Sequence, residues 1–126
     1  MIVIIGRSSG DRVDRHLILT PQSDGKTHVE VTNPERSAGY KMFVNTDNLR
    51  GLGQKQSGSI FGIVDGNSST GSPARMEVKP TEQPDIVGIY ACPIEWGESG
   101  EAIEKNGGWA IRIRMVDWQR FLANLV

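Results

Sequence analysis

Ala74-Arg75-Met76-Glu77-Val78-Lys79 alternates apolar and charged side chains without a break. A two-residue beat of this kind marks a strand with one buried face and one wet face. The beat recurs on both sides of it. Upstream, Val29 and Val31 alternate with His28, Glu30 and Thr32, and Tyr40, Met42 and Val44 alternate with Lys41, Phe43 and Asn45. Val13, Leu17 and Leu19 oppose Asp14, His16 and Thr20, and residues 59–64 set Ile60, Phe61, Ile63 and Val64 around Gly62. Downstream, Trp109, Ile111, Ile113 and Met115 face away from Arg112 and Arg114.

Two further runs, 1–5 and 86–92, are apolar at nearly every position and are expected to be central strands covered on both faces. Asp24-Gly25 reads as a hairpin turn, and Pro21 ends the strand before it. Only the last stretch has helical spacing: Trp118, Phe121, Leu122 and Leu125 fall at i, i+3, i+4 and i+7, with Asp117 expected as the N-cap. A chain of 126 residues has room for one core. The pattern therefore predicts a mainly β fold, residues 1–126 as a single domain: a small β-barrel or sandwich of about seven or eight strands with a short C-terminal helix.

Fourteen Lys and Arg stand against fifteen Asp and Glu, so no global field marks a polybasic nucleic-acid or membrane-surface binder. One cysteine, Cys92, allows neither an internal disulfide nor a Cys-rich metal knuckle. A reducing, cytoplasmic setting is the expectation. The opening apolar run is too short for a secretory signal, and no run approaches a membrane span.

The near-neutral total hides an internal division. Residues 80–104 carry six acidic side chains and no basic ones, while 105–126 carry four basic and one acidic. Three segments, 46–58, 65–73 and 93–108, are rich in glycine and polar residues and are expected to be long loops, where binding residues on β scaffolds concentrate. Trp96 lies inside the acidic one. An aromatic there serves either as a partner anchor or as a plug folded down over the barrel end.

These observations lead to a non-catalytic binding module whose loops, around 48–57 and 94–106, engage a protein partner or a small ligand. Trp96, Glu95, Glu98, Glu101 and Glu104 make the contact in this reading. The alternative is a nucleic-acid or nucleotide-binding barrel, with Arg7, Ser8, Ser9, Arg12, Arg50, Lys55, Arg112 and Arg114 as anion-binding residues and Tyr40 or Phe43 as stacking platforms. Its bland counterpart is a polar outer face whose arginines are balanced by carboxylates on neighbouring strands. Gly6-Arg7-Ser8-Ser9-Gly10 superficially resembles a phosphate loop, but it leads into a strand and lacks the Gly-Lys-Ser/Thr ending.

The catalytic inventory is thin. Cys92 sits in an apolar run where a thiol is usually an inert core filler, and His16 and His28 would have to converge on it to form a nucleophilic site. Loop pairs such as Glu95 with Glu98, or Glu101 with Glu104, lack the apolar pocket that acid–base work needs. No metal-ligand spacing is present, and neither a metal nor a cofactor is expected. An apolar first strand leaves self-association open as a further expectation.

Overall fold

The computed structural model describes residues 1–53 and 60–125. Nine strands and two helices follow in the order β1 (Ile2–Arg7), β2 (Asp14–Pro21), β3 (Lys26–Thr32), β4 (Gly39–Asn45), α1 (Thr46–Gly53), β5 (Gly62–Ser68), β6 (Pro73–Pro80), β7 (Ile86–Trp96), β8 (Ala102–Glu104), β9 (Trp109–Arg114) and α2 (Met115–Ala123). The spatial order is β6-β5-β4-β3-β2-β1-β9-β7, and β7 pairs back onto β6, so eight antiparallel strands close a barrel. Of the barrel and the sandwich that the alternation allows, the barrel is what forms.

Alternation decides which side chains fill it. Leu17 and Leu19 on β2, Val29 and Val31 on β3, Met42 and Val44 on β4, and Ile111 and Ile113 on β9 all point inward and are buried. Met76 and Val78 on β6 and Ile89 on β7 complete the filling. An eight-stranded barrel is just wide enough for side chains to fill. Each fully buried aliphatic contributes about 1.5–3 kcal/mol relative to its exposed state.

The helices close one end. Leu49 and Leu52 of α1 and Trp118, Phe121 and Leu122 of α2 join the same core. Trp118 is fully buried, its Nε1–H donates to the Ile60 carbonyl at 3.4 Å, and its ring stacks on Phe121 at 5.5 Å. Helix α1 lies in a segment expected to be loop. Only two apolar positions, three residues apart, mark its inner face, too few to register as a period. Its start is set locally, with Asn45 Oδ1 accepting the Asp47 N–H at 2.9 Å.

Other expectations are corrected. The segment 93–108 is not a loop: β7 runs eleven residues, to Trp96, and turns back through β8. Likewise β5 continues to Ser68, leaving a tight turn where Gly71 N–H donates to Ser68 O at 2.9 Å. Helix α2 begins two residues before Asp117, and Arg114 occupies the cap position without a side-chain cap bond. Asp117 instead sits in the first turn, where it pairs with Arg114 at 3.0 Å and Arg120 at 3.6 Å. Nor is β1 covered on both faces: Ile4 is buried, whereas Met1, Ile2, Val3 and Ile5 are exposed.

The last correction has a structural cause. The ladder joining β1 to β9 has a single pair, Arg7 opposite Arg112, whereas β1 pairs with β2 along its whole length. Strand β9 departs there, and Met115 N–H bonds to Asp85 O at 2.7 Å. Among the described residues no helix is long and apolar enough to cross a membrane.

Candidate functional site

Two features stand out on the surface of the barrel: a hairpin arm and a cleft beside it. The arm exists because β7 outruns both neighbours. Its pairing with β9 covers Ile86 to Ala91 and that with β6 reaches Pro93. Beyond that point Ile94, Glu95 and Trp96 pair only with Glu104, Ile103 and Ala102 of β8. The tip is a tight turn in which Gly97 N–H donates to Glu101 O at 2.8 Å and Gly100 N–H to Gly97 O at 3.0 Å. Gly100 adopts φ +83°, a conformation that costs glycine little.

Trp96 is 52 % exposed and Ile103 is 43 % exposed, so the indole is displayed rather than folded down as a plug. Alternation sets Trp96 and Ala102 on one face of the arm and Glu95 and Ile103 on the other. Glu98 lies in the tip, and Glu101 accepts the Ser99 hydroxyl at 2.6 Å, which holds its carboxyl below the usual carboxylate range. Among the described residues, none of Glu95, Glu98, Glu101 and Glu104 has a cation within ion-pair distance. Asp14, Asp47, Asp65, Glu82 and Asp117, by contrast, are each held by an arginine. Uncompensated negative charge is thus gathered on the arm.

Where the arm returns to the barrel, Lys105 N–H donates to Pro93 O at 2.9 Å and Gly108 is pressed against Tyr90 and Cys92. A Cβ at position 108 would lie 2.4 Å from Tyr90 Oη. This cover explains why Cys92, on the outer side of β7, has no exposed surface. Burial, aided by Glu104 and Glu77, pushes its thiol up to about 11. His16 on β2 is three strand positions from β7 along the wall, a span of roughly 14 Å, and His28 on β3 is four positions away. His28 stacks on Phe43 at 4.5 Å. The thiol and the two imidazoles do not converge.

The cleft lies on the outer face of β7 and β9, between the 8–13 connection and the 81–85 connection. It has two adjoining parts. One, of about 280 Å³, is lined by Arg7, Ser8, Arg12, Arg112 and Arg114 together with Glu82. The other, of about 450 Å³, is floored by Gly88, Tyr90 and Ala110 and walled by Ser9, Lys79 and Glu104. Glu82 and Arg112 line both parts and form the partition, with Arg112 Nη2 donating to Glu82 Oε1 at 2.5 Å. That bond keeps the Glu82 carboxyl below the usual range.

The fold therefore gathers Arg7, Ser8, Ser9, Arg12, Arg112 and Arg114 in one place but leaves out the other expected anion ligands. Arg50 is on α1, paired with Asp47 and donating through Nε to Leu125 O at 2.7 Å. Lys55 lies outside the described residues. Tyr40 and Phe43 are on β4, four strands from β9 within the sheet order, and neither lines the cleft. Tyr90 and Glu82, which do line it, escaped the sequence reading. Tyr90 sat in a run that looked wholly buried, and Glu82 entered only as one of the six acids of residues 80–104.

The class defined by these observations is a closed antiparallel barrel, plugged by two short helices, that carries an acidic hairpin arm. Comparison with protein-family models, with curated proteins and with solved structures finds no match to this chain.

Proposed function

We propose that this protein is a non-catalytic binding module that uses its hairpin arm to hold a basic, partly apolar segment of a protein partner. The observation that carries the reading is the exposed Trp96 on an arm whose four glutamates have no cation within ion-pair distance among the described residues. A rigid indole supplies contact area at low entropic cost and is typical of residues that dominate interface energetics. Unpaired carboxylates around it speed encounter with a cationic surface and set its orientation. Support comes also from the rigidity of the base, since β7 belongs to the barrel wall before it becomes the arm.

The test compares wild type, Trp96→Ala and a variant with all four arm glutamates changed to glutamine, each used to capture proteins from an extract of the host cells. A partner retained by wild type should bind Trp96→Ala more weakly by about 2 kcal/mol, roughly thirtyfold. The glutamine variant should lose association rate and salt sensitivity. Identical retention by all three proteins, or no protein retained by wild type, refutes the reading.

A further inference from the structure

Independently of the arm, we propose that the two-part cleft over β7 and β9 binds a small phosphate ester, its phosphoryl group in the arginine-lined part and its organic part over Tyr90. Four arginines line the smaller part from three places in the chain: Arg7 from the end of β1, Arg12 from the connection after it, and Arg112 and Arg114 from β9. Glu82 is the one carboxylate in that lining among the described residues; with Asp14 and Asp117, which pair with Arg7 and Arg114 from outside it, four cations face three anions, an excess of one positive charge. Planar guanidinium forks suit the several oxygens of a phosphoryl group and bind them in pairs.

Of the four, Arg112 is already bonded to Glu82 at 2.5 Å, and Arg7 and Arg12 are the ones left ready for a ligand. Arg7 stands 3.7 Å from Asp14, and both side chains are largely exposed. Arg114 is engaged by Asp117 from outside the cleft, and its own side chain is likewise exposed. The Arg7–Asp14 pair, long and exposed on both sides, is weak and yields to a doubly charged ligand, whereas the bidentate Arg114–Asp117 pair, its carboxylate only 20 % exposed, stays in place. Arg12 has no carboxylate within ion-pair distance among the described residues, and its backbone is in the left-handed region at φ +57°. A non-glycine residue in that region carries a conformational cost that collects at functional positions. The connection is fixed from within, since the buried Ser8 hydroxyl binds Asp11 and accepts the Val13 N–H at 3.1 Å.

The larger part determines the kind of phosphate. Its floor is open because Gly88 contributes no side chain, and the ring of Tyr90 borders it. The larger part, about 450 Å³, falls in the range of small-molecule sites, and the smaller, about 280 Å³, lies just below it, enough for a phosphoryl group. A nucleic-acid backbone fits poorly, because Glu104 of the acidic arm lines the same cleft and would face the next phosphate.

The experiment titrates the intact protein with inorganic phosphate, methyl phosphate and phenyl phosphate at low salt, following backbone amide shifts. Saturable shifts confined to residues 7–13, 81–90 and 110–114 are expected below about 10 mM ligand, with phenyl phosphate binding at least about threefold tighter than methyl phosphate. Arg12→Gln and Arg112→Gln should each weaken phosphate by about tenfold or more, and Tyr90→Leu should abolish the phenyl preference alone. Arg12 is exposed and outside the core, so its variant keeps the fold. Shifts no larger than those from chloride at equal ionic strength, equal affinity for the two esters, or phosphate binding unaffected in Arg12→Gln would each overturn the proposal. Tighter binding of a single-stranded oligonucleotide than of phenyl phosphate would do the same.

Discussion

The guanidinium of Arg15 stands 4.4 Å from the ring centroid of Trp109, and its Nη1 donates to the Ala110 carbonyl at 2.7 Å. Arg15 belongs to the inward row of β2, with Leu17 and Leu19, and Trp109 opens the inward row of β9. The two residues close the barrel interior at the end away from the helices, where a cation over an indole replaces a further layer of aliphatic packing. Replacing Arg15 with Ala should lower stability by about 1–3 kcal/mol, read from the urea midpoint. Arg15→Lys, which keeps the charge but loses the planar stack, should recover only part of it. An unchanged midpoint in Arg15→Ala would show that this contact is decorative.

Gly6 stands where β1 meets β9, the most thinly paired junction in the barrel wall. A Cβ there would lie 2.3 Å from the Arg112 backbone oxygen and 2.9 Å from side-chain atoms of Ile111 and Ile113. Backbone cannot yield as a side-chain tip can, and β1 has only one ladder pair with β9. Gly6→Ala should therefore cost about 1–3 kcal/mol, as overpacking does. Gly10→Ala is the control: nothing lies within 4 Å of its Cβ, and less freedom in the unfolded chain should leave it neutral or stabilised by up to about 1 kcal/mol. Equal melting temperatures for the two variants would contradict the close approach.

The barrel was legible because inward rows such as Val29 and Val31, or Met76 and Val78, report burial on one face directly. The arm was not. Trp96, Glu95 and Ile103 alternate too, but without a buried face, so the ribbon carries no hydrophobic signature and its glycines and glutamates resemble those of a loop. The cleft was half legible. Arg112 and Arg114 share a strand face by parity, yet their meeting with Arg7 and Arg12 depends on a strand order that puts β1 beside β9. Most arginines took the bland alternative, pairing with nearby carboxylates, as Arg75 does with Asp65 at 2.7 Å.

Neighbouring residues on β1 should respond in opposite ways. Ile4 is 6 % exposed and belongs to the core, whereas Ile5 is 69 % exposed on the outer face. Ile4→Ala should cost about 2–5 kcal/mol through lost transfer energy and a cavity. Ile5→Lys should change stability by no more than about 0.5 kcal/mol. Thermal melts of the two variants decide the matter, and a large loss in Ile5→Lys would mean that the outer face of β1 is covered in solution.

Alkaline pH should single out Cys92. Burial under the 105–108 return pushes its thiol from the ordinary value of 9.0 up to about 11 in the folded chain. Below pH 9 both states hold the proton and stability is unaffected. Between about pH 9 and 11 the unfolded chain loses it first, so stability falls with rising pH, by about 2–3 kcal/mol once the folded thiol also ionises. Burial also raises the Tyr40 and Tyr90 hydroxyls and pulls in the same direction, so the thiol's share is the difference between wild type and Cys92→Ala in urea midpoints measured across that window. Parallel pH profiles for the two proteins would refute the assignment. A thiol reagent should label Cys92 only at the rate of opening, and immediate labelling of the native protein at pH 8 would show that the return segment does not seal it.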